Sequence, residues 1–166
     1  MAAWIPLKRD VLDALALEFL HNYGTGRTLL AVDGGTAVGG AAFADDLAEA
    51  LRRAGHSVSR SSVEEPREPA DDPDARYRGE HDYERFKRDV IAPFRGGEGD
   101  AILVVDGPFL NRPELRGLWN WSVWLESAQD AAAPAYLADA SPRTRASAIV
   151  DNNDPEHPRQ VFADSC

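Results

Sequence analysis

Thr28-Leu29-Leu30-Ala31-Val32-Asp33-Gly34-Gly35-Thr36-Ala37-Val38-Gly39-Gly40-Ala41 is the stretch that decides the fold. Residues 28–33 are strand length, apolar almost to the end and without polar alternation, which predicts a strand covered on both faces. The glycines lead into Phe43-Ala44-Asp45-Asp46-Leu47-Ala48-Glu49-Ala50-Leu51, whose apolar spacing predicts a helix over 39–54, closed by Gly55. Strand, glycine loop and helix in that order are the setting in which backbone N–H groups cradle phosphate. The frame G-x-x-x-x-G-K-[ST] fits with Gly34 and Gly39 as its glycines. Gly40 then stands where the lysine belongs, and Ala41 where the metal-binding hydroxyl belongs. The frame for a triphosphate is written without the two side chains that make it work.

Working outward, residues 101–106, Ala-Ile-Leu-Val-Val-Asp, form a second unbroken apolar run that ends in an aspartate. Two such strands predict a parallel sheet with both faces covered, hence an α/β three-layer domain. The spacing further predicts helices over 10–22 and 83–94, and strands over 57–63, 121–125 and 146–151. The charged stretch 64–79, with Pro66, Pro69 and Pro73, reads as an exposed loop. A length of 166 residues suits one domain. The net charge of −10 disfavours a nucleic-acid or anionic-membrane partner, and ATP as well unless a local basic patch exists. The single cysteine, Cys166, leaves no internal disulfide and agrees with a reducing cytoplasm. Neither a signal peptide nor a transmembrane helix is expected, because the apolar runs are only strand length.

With these elements placed, the chain resembles the uridine kinase-like P-loop kinases of actinobacterial type. Arg27-Thr28-Leu29-Leu30-Ala31-Val32-Asp33-Gly34, after its leading helix, is similar to that family's opening. Val104-Val105-Asp106-Gly107-Pro108-Phe109-Leu110-Asn111-Arg112-Pro113-Glu114-Leu115 is similar to its Walker B block. Tyr136-Leu137, Pro142-Arg143-Thr144-Arg145-Ala146 and Val150-Asp151-Asn152-Asn153-Asp154-Pro155 are similar to its C-terminal signature. The resemblance implies a P-loop nucleoside-kinase-like sheet of five parallel strands and transfer of the ATP γ-phosphoryl group to a nucleoside or similar alcohol. The departures from that pattern coincide. Lysine and hydroxyl are gone, and the family's acidic pair survives only as Glu64-Glu65 before Pro66. The acceptor-side insertion is short, and the lid span 126–134 contains no arginine.

Several residue groups carry candidate chemistry. Gly34, Gly35, Thr36, Ala37, Val38, Gly39, Gly40 and Ala41 form either a nest for a single anion or a turn that merely joins strand to helix. Asp33, Glu64, Glu65 and Asp106 are expected near the carboxyl ends of adjacent strands, where such a group either binds a divalent ion, serves in acid–base work, or is structural, with Asp106 capping its strand and Glu64-Glu65 facing solvent. His81 is a further acid or base candidate, beside Tyr83. Arg76 and Arg78 lead the one basic cluster, which either replaces the lost lysine or forms a solvated face. Trp119, Trp121 and Trp124, with Phe109 and Tyr83, make either a ligand-stacking wall or a core and interface patch. His21, His56 and His157 lack metal-ligand spacing, so no metal site is expected. The leading reading is a degenerate kinase relative without ATP or magnesium as cofactor, whose cleft takes a small polar or anionic molecule. A residual kinase with substitute cations and a non-catalytic interaction module, such as a homodimer through the tryptophan-rich edge, are the alternatives.

Overall fold

The computed structural model describes residues 5–64, 71–128 and 132–162. At its centre is a six-stranded sheet in the order β2-β3-β1-β4-β5-β6. The strands are β1 (Arg27–Asp33), β2 (Val58–Ser62), β3 (Ala101–Gly107), β4 (Trp121–Glu126), β5 (Ala148–Asp151) and β6 (Arg159–Val161). The first five in sequence run parallel, and β6 pairs antiparallel with β5. The five parallel strands expected from the sequence are therefore all present, and a sixth is added. Three residues of mixed polarity give β6 no periodic signal, so tertiary pairing alone makes it a strand.

Both faces of the sheet are covered, which is why β1 and β3 lack alternation. Leu30, Val32, Ile102, Val104, Trp121, Val123 and Leu125 meet α1 (Lys8–Tyr23) and α2 (Gly40–Arg53). Leu29, Ala31, Leu103 and Val105 face a long helix on the other side. That helix begins with α4 (Tyr83–Phe86), widens to a π-turn over Lys87–Ile91 and ends with α5 (Ala92–Arg95). Pro93 has no N–H and would crowd the carbonyl of Asp89, so the wider turn lets the helix pass it. Over β4 and β5 the same face is capped by α6 (Pro134–Ala140) and α3 (Pro73–Arg78), with Trp124, Ile149, Phe109, Tyr77 and Tyr136 between them. A short α7 (Pro142–Arg145) follows α6.

The stretch expected to be an exposed loop thus contains α3. Asp72 caps it through the Asp74 N–H, Pro73 opens it, and Tyr77 is buried. An N-cap aspartate followed by proline was the available signal. Among the described residues no helix is long and apolar enough to cross a membrane.

Candidate functional site

The glycine loop lies at the carboxyl end of β1, the edge where ligands of parallel α/β sheets bind. Gly34 N–H donates to the Gly107 carbonyl at 2.9 Å, which ties the loop to the end of β3. Thr36–Val38 makes one 3-10 turn, and Gly39 follows at φ +74°, a left-handed conformation that suits glycine. Gly39 N–H donates to Thr36 O at 3.1 Å, and Gly40 N–H donates to Gly35 O at 3.2 Å. Both amides are used inside the loop rather than aimed outward at a phosphate. A Cβ placed on Gly40 would fall 2.0 Å from the Gly34 carbonyl oxygen. No side chain fits there, lysine included, so glycine at this position is a requirement of the loop's shape. Asn152, buried beyond β5, donates from Nδ2 to Val38 O at 2.7 Å and pins the turn from the other side. Its Oδ1 is buried without a hydrogen-bond partner among the described residues, adding an acceptor beside the loop.

Asp106 lies on the α2 face of the sheet, in register with Val32. Its Oδ1 accepts from Ser62 Oγ at 2.6 Å and from Arg60 Nη2 at 2.7 Å. Arg60 rises from β2 and also holds Asp45 on α2 at 2.9 Å, the Val104 carbonyl at 2.9 Å and the Ala41 carbonyl at 3.4 Å. One guanidinium therefore spans the strand-end aspartate and the first turn of α2. In a phosphate loop those same two places, an aspartate on the strand and a hydroxyl on the helix, hold the magnesium ion. Here the helix offers alanine and the aspartate already carries a cation.

Asp33 points to the opposite face, because it is one residue out of step with Val32. It is fully buried. Asn111 Nδ2 donates to its Oδ2 at 2.7 Å, and the Leu110 and Asn111 N–H groups donate to Oδ1 and Oδ2 at 3.2 Å each. The Tyr136 hydroxyl donates to Oδ2 as well. The carboxylate thus anchors the turn after β3, in which Phe109 adopts φ +62°, an uncommon conformation for a non-glycine residue. Burial pushes the Asp33 pKa up to about 6, against the lowering effect of its hydrogen bonds from Tyr136, Asn111 and the two backbone amides.

A raised carboxylate pKa has a definite sign in stability. The folded state holds the proton more tightly, so the contribution is fully present below the ordinary value near 4 and is lost as pH rises through about 6. Its size is about 3 kcal/mol. The stability of wild type minus that of Asp33→Asn, from urea unfolding at steps between pH 4 and 7, should fall by this amount. A flat difference would contradict it.

Asp33, Gly34, Gly35 and Val38 form one end of a cleft of about 780 Å³. Phe109, Trp124 and Tyr136 supply an aromatic wall, with ring centroids 5.1 Å apart for Phe109 and Tyr136 and 5.9 Å for Trp124 and Tyr136. Arg76, Glu126, Arg143 and Asp151 line it as its charged residues besides Asp33. Glu126 holds Arg143 at 2.6 Å and the Trp124 indole N–H at 3.2 Å.

The candidates read from the sequence separate in space. Asp33 and Asp106 lie on opposite faces of the sheet, and Glu64 is exposed past the end of β2. The expected carboxylate group therefore does not assemble, and Glu65 lies outside the described residues. Among the described residues no three His, Cys, Asp or Glu side chains converge on a metal position. The tryptophans go three ways. Trp121 packs edge-on against Phe19 in the α1–α2 core at 5.9 Å, Trp119 donates to Leu110 O at 2.7 Å, and Trp124 alone joins the cleft wall. His81 stacks on Tyr83 at 5.0 Å and contacts the edge of Phe109 from outside the cleft lining. Burial, aided by the Arg112 charge, holds the His81 pKa below its ordinary value. Tyr83 accepts from Arg112 at 2.8 Å, and burial pushes its pKa up to about 12. Arg76 lines the cleft, whereas Arg78 is exposed and does not. Phe109, grouped with the tryptophans from the sequence, does line the cleft beside Trp124, whereas sequence reasoning missed Arg60, Asn111, Asn152, Tyr136 and Glu126 as parts of this region.

The fold has solved counterparts. A possible uridine kinase from Bacillus stearothermophilus superimposes with a TM-score of 0.71 at 19% identity, covering 86% of this chain and 98% of that one. This chain shares the α/β fold of that protein. A candidate fructose transport system kinase from Silicibacter sp. TM1040 has a TM-score of 0.48 at 21% identity over 81% of this chain and 78% of that one. No protein-family model matches the chain, and no curated protein matches it.

Proposed function

We infer that this chain is a kinase-fold protein that no longer transfers phosphate, and that its cleft binds a small molecule with an apolar or aromatic body and a charged end. The observation that carries the reading is Arg60. Phosphoryl transfer depends on cations that meet the charge developing on the transferred group. In this protein the cation at the strand-end aspartate belongs to the chain and is tied down by Asp106, Asp45 and three backbone carbonyls. The closed loop at Gly40 supports the same reading.

The aromatic wall supports the second half. Phe109, Trp124 and Tyr136 offer ring faces, and Arg143 and Arg76 offer positive charge at the same cleft. Asp33 acts here as a positioning residue, holding Phe109 and Tyr136 in place, rather than as the acid or base.

The test has two arms. Incubation with ATP labelled at the γ-phosphate, magnesium and a panel of nucleosides and polyols should give no transfer above background. Transfer that Asp106→Asn abolishes would instead establish a residual kinase. Thermal-shift screening of aromatic and branched-chain carboxylates should find compounds that stabilise wild type but not Trp124→Ala. Equal stabilisation of both proteins would remove the cleft from the account.

A further inference from the structure

At the other end of the strands, by the start of β4 and β5, lies a second cleft of about 820 Å³. Its lining includes Arg116, Trp119, Asn120, Thr144, Arg145 and Ser147. No aspartate or glutamate is among the residues that line it, in a chain with 28 acidic and 18 basic residues. By contrast, Arg60, Arg112 and Arg143 each hold a carboxylate. Neither Arg116 nor Arg145 has a carboxylate partner among the described residues. Two guanidinium groups left unneutralised around one polar concavity, in so acidic a protein, favour an anion there.

The remaining lining adds specificity. Ser147 Oγ accepts the Ser122 N–H at 3.1 Å, which leaves its own O–H to donate outward. Thr144 and Ser141 bring two more hydroxyls. The Trp119 indole is fixed through its N–H to Leu110 O, so its ring lines the cleft in a set orientation. Guanidinium pairs favour planar or tetrahedral oxyanions, and a fixed indole favours a flat partner. Buried Asn111 and Ser122 also line this cleft, and Ser122 Oγ donates to Asn111 Oδ1 at 3.1 Å. Asn111 in turn holds Asp33, so one hydrogen-bonded chain joins the two clefts.

We propose that this second cleft is a binding site for a small phosphorylated molecule carrying a flat ring, held by Arg116 and Arg145 and stacked on Trp119. It is independent of how the cleft at the glycine loop is read. Calorimetry and tryptophan fluorescence with phenyl phosphate and inorganic phosphate as probes test it directly. Phenyl phosphate should bind saturably and about tenfold more tightly than inorganic phosphate, and binding should weaken as salt rises. The double variant Arg116→Ala with Arg145→Ala, both exposed positions, should lose about tenfold or more in affinity. Trp119→Ala should erase the preference for the ring. Arg88→Ala, an exposed position outside both clefts, should change nothing. Binding that never saturates, that ignores the double variant or that is lost in Arg88→Ala would overturn the proposal.

Discussion

Gly40→Ala is expected to destabilise the protein by about 2–4 kcal/mol, the cost of forcing atoms into a closed site. The expectation has a sign that ordinary helix chemistry would reverse. Gly40 is the first residue of α2. At a tolerant helical position, alanine in place of glycine gains up to about 1 kcal/mol. Here the new methyl would stand 2.0 Å from Gly34 O and 2.9 Å from the Gly34 carbonyl carbon, both backbone atoms that cannot swing aside. The loop must move, and the Gly34–Gly107 and Gly40–Gly35 hydrogen bonds move with it. Gly40→Lys, which restores the missing residue of the phosphate frame, should be destabilised at least as much and should gain no nucleotide affinity. Urea unfolding of both variants is the check. A neutral or stabilised Gly40→Ala would mean that the loop opens freely, and the closed conformation would lose its place in the argument.

Asp33→Ala should lose about 3 kcal/mol, because four buried donors lose their common acceptor. For a domain of this size that lowers the melting temperature by about 6–12 °C. Tyr136→Phe removes one donor to the same carboxylate and should cost about 1–2 kcal/mol. The two changes should be less than additive in the double variant, since they share one interaction. A carboxylate kept for catalysis behaves differently: its removal is often neutral or stabilising, because an active site holds it against its own preference. Thermal melts of the three proteins separate these cases, and a more stable Asp33→Ala would return Asp33 to the role of acid or base.

Much of the scaffold was legible in the sequence. The unbroken apolar runs of β1 and β3 can only be strands buried on both faces, and the glycines after Asp33 mark the turn into α2. The candidate site was less legible, because it depends on register. Asp33 and Asp106 both end an apolar strand, yet Val32 rather than Asp33 pairs with Asp106, so the two carboxylates face opposite ways. Nothing in either segment alone reports that one-residue offset. Parity within β4 was readable: Trp121 and Trp124 are three apart and must face opposite sides of a strand. Arg60 left a fainter trace. A largely buried arginine between serines in the edge strand β2 needs partners, and two carboxylates and several carbonyls answer. The β6 pairing had no local signal at all.

The most direct test of the account is calorimetric titration of the intact protein with ATP, with and without magnesium. With Arg60 on Asp106 and the loop closed over Gly40, magnesium should make no difference and no saturable binding should be seen into the millimolar range. Micromolar binding that requires magnesium would contradict it.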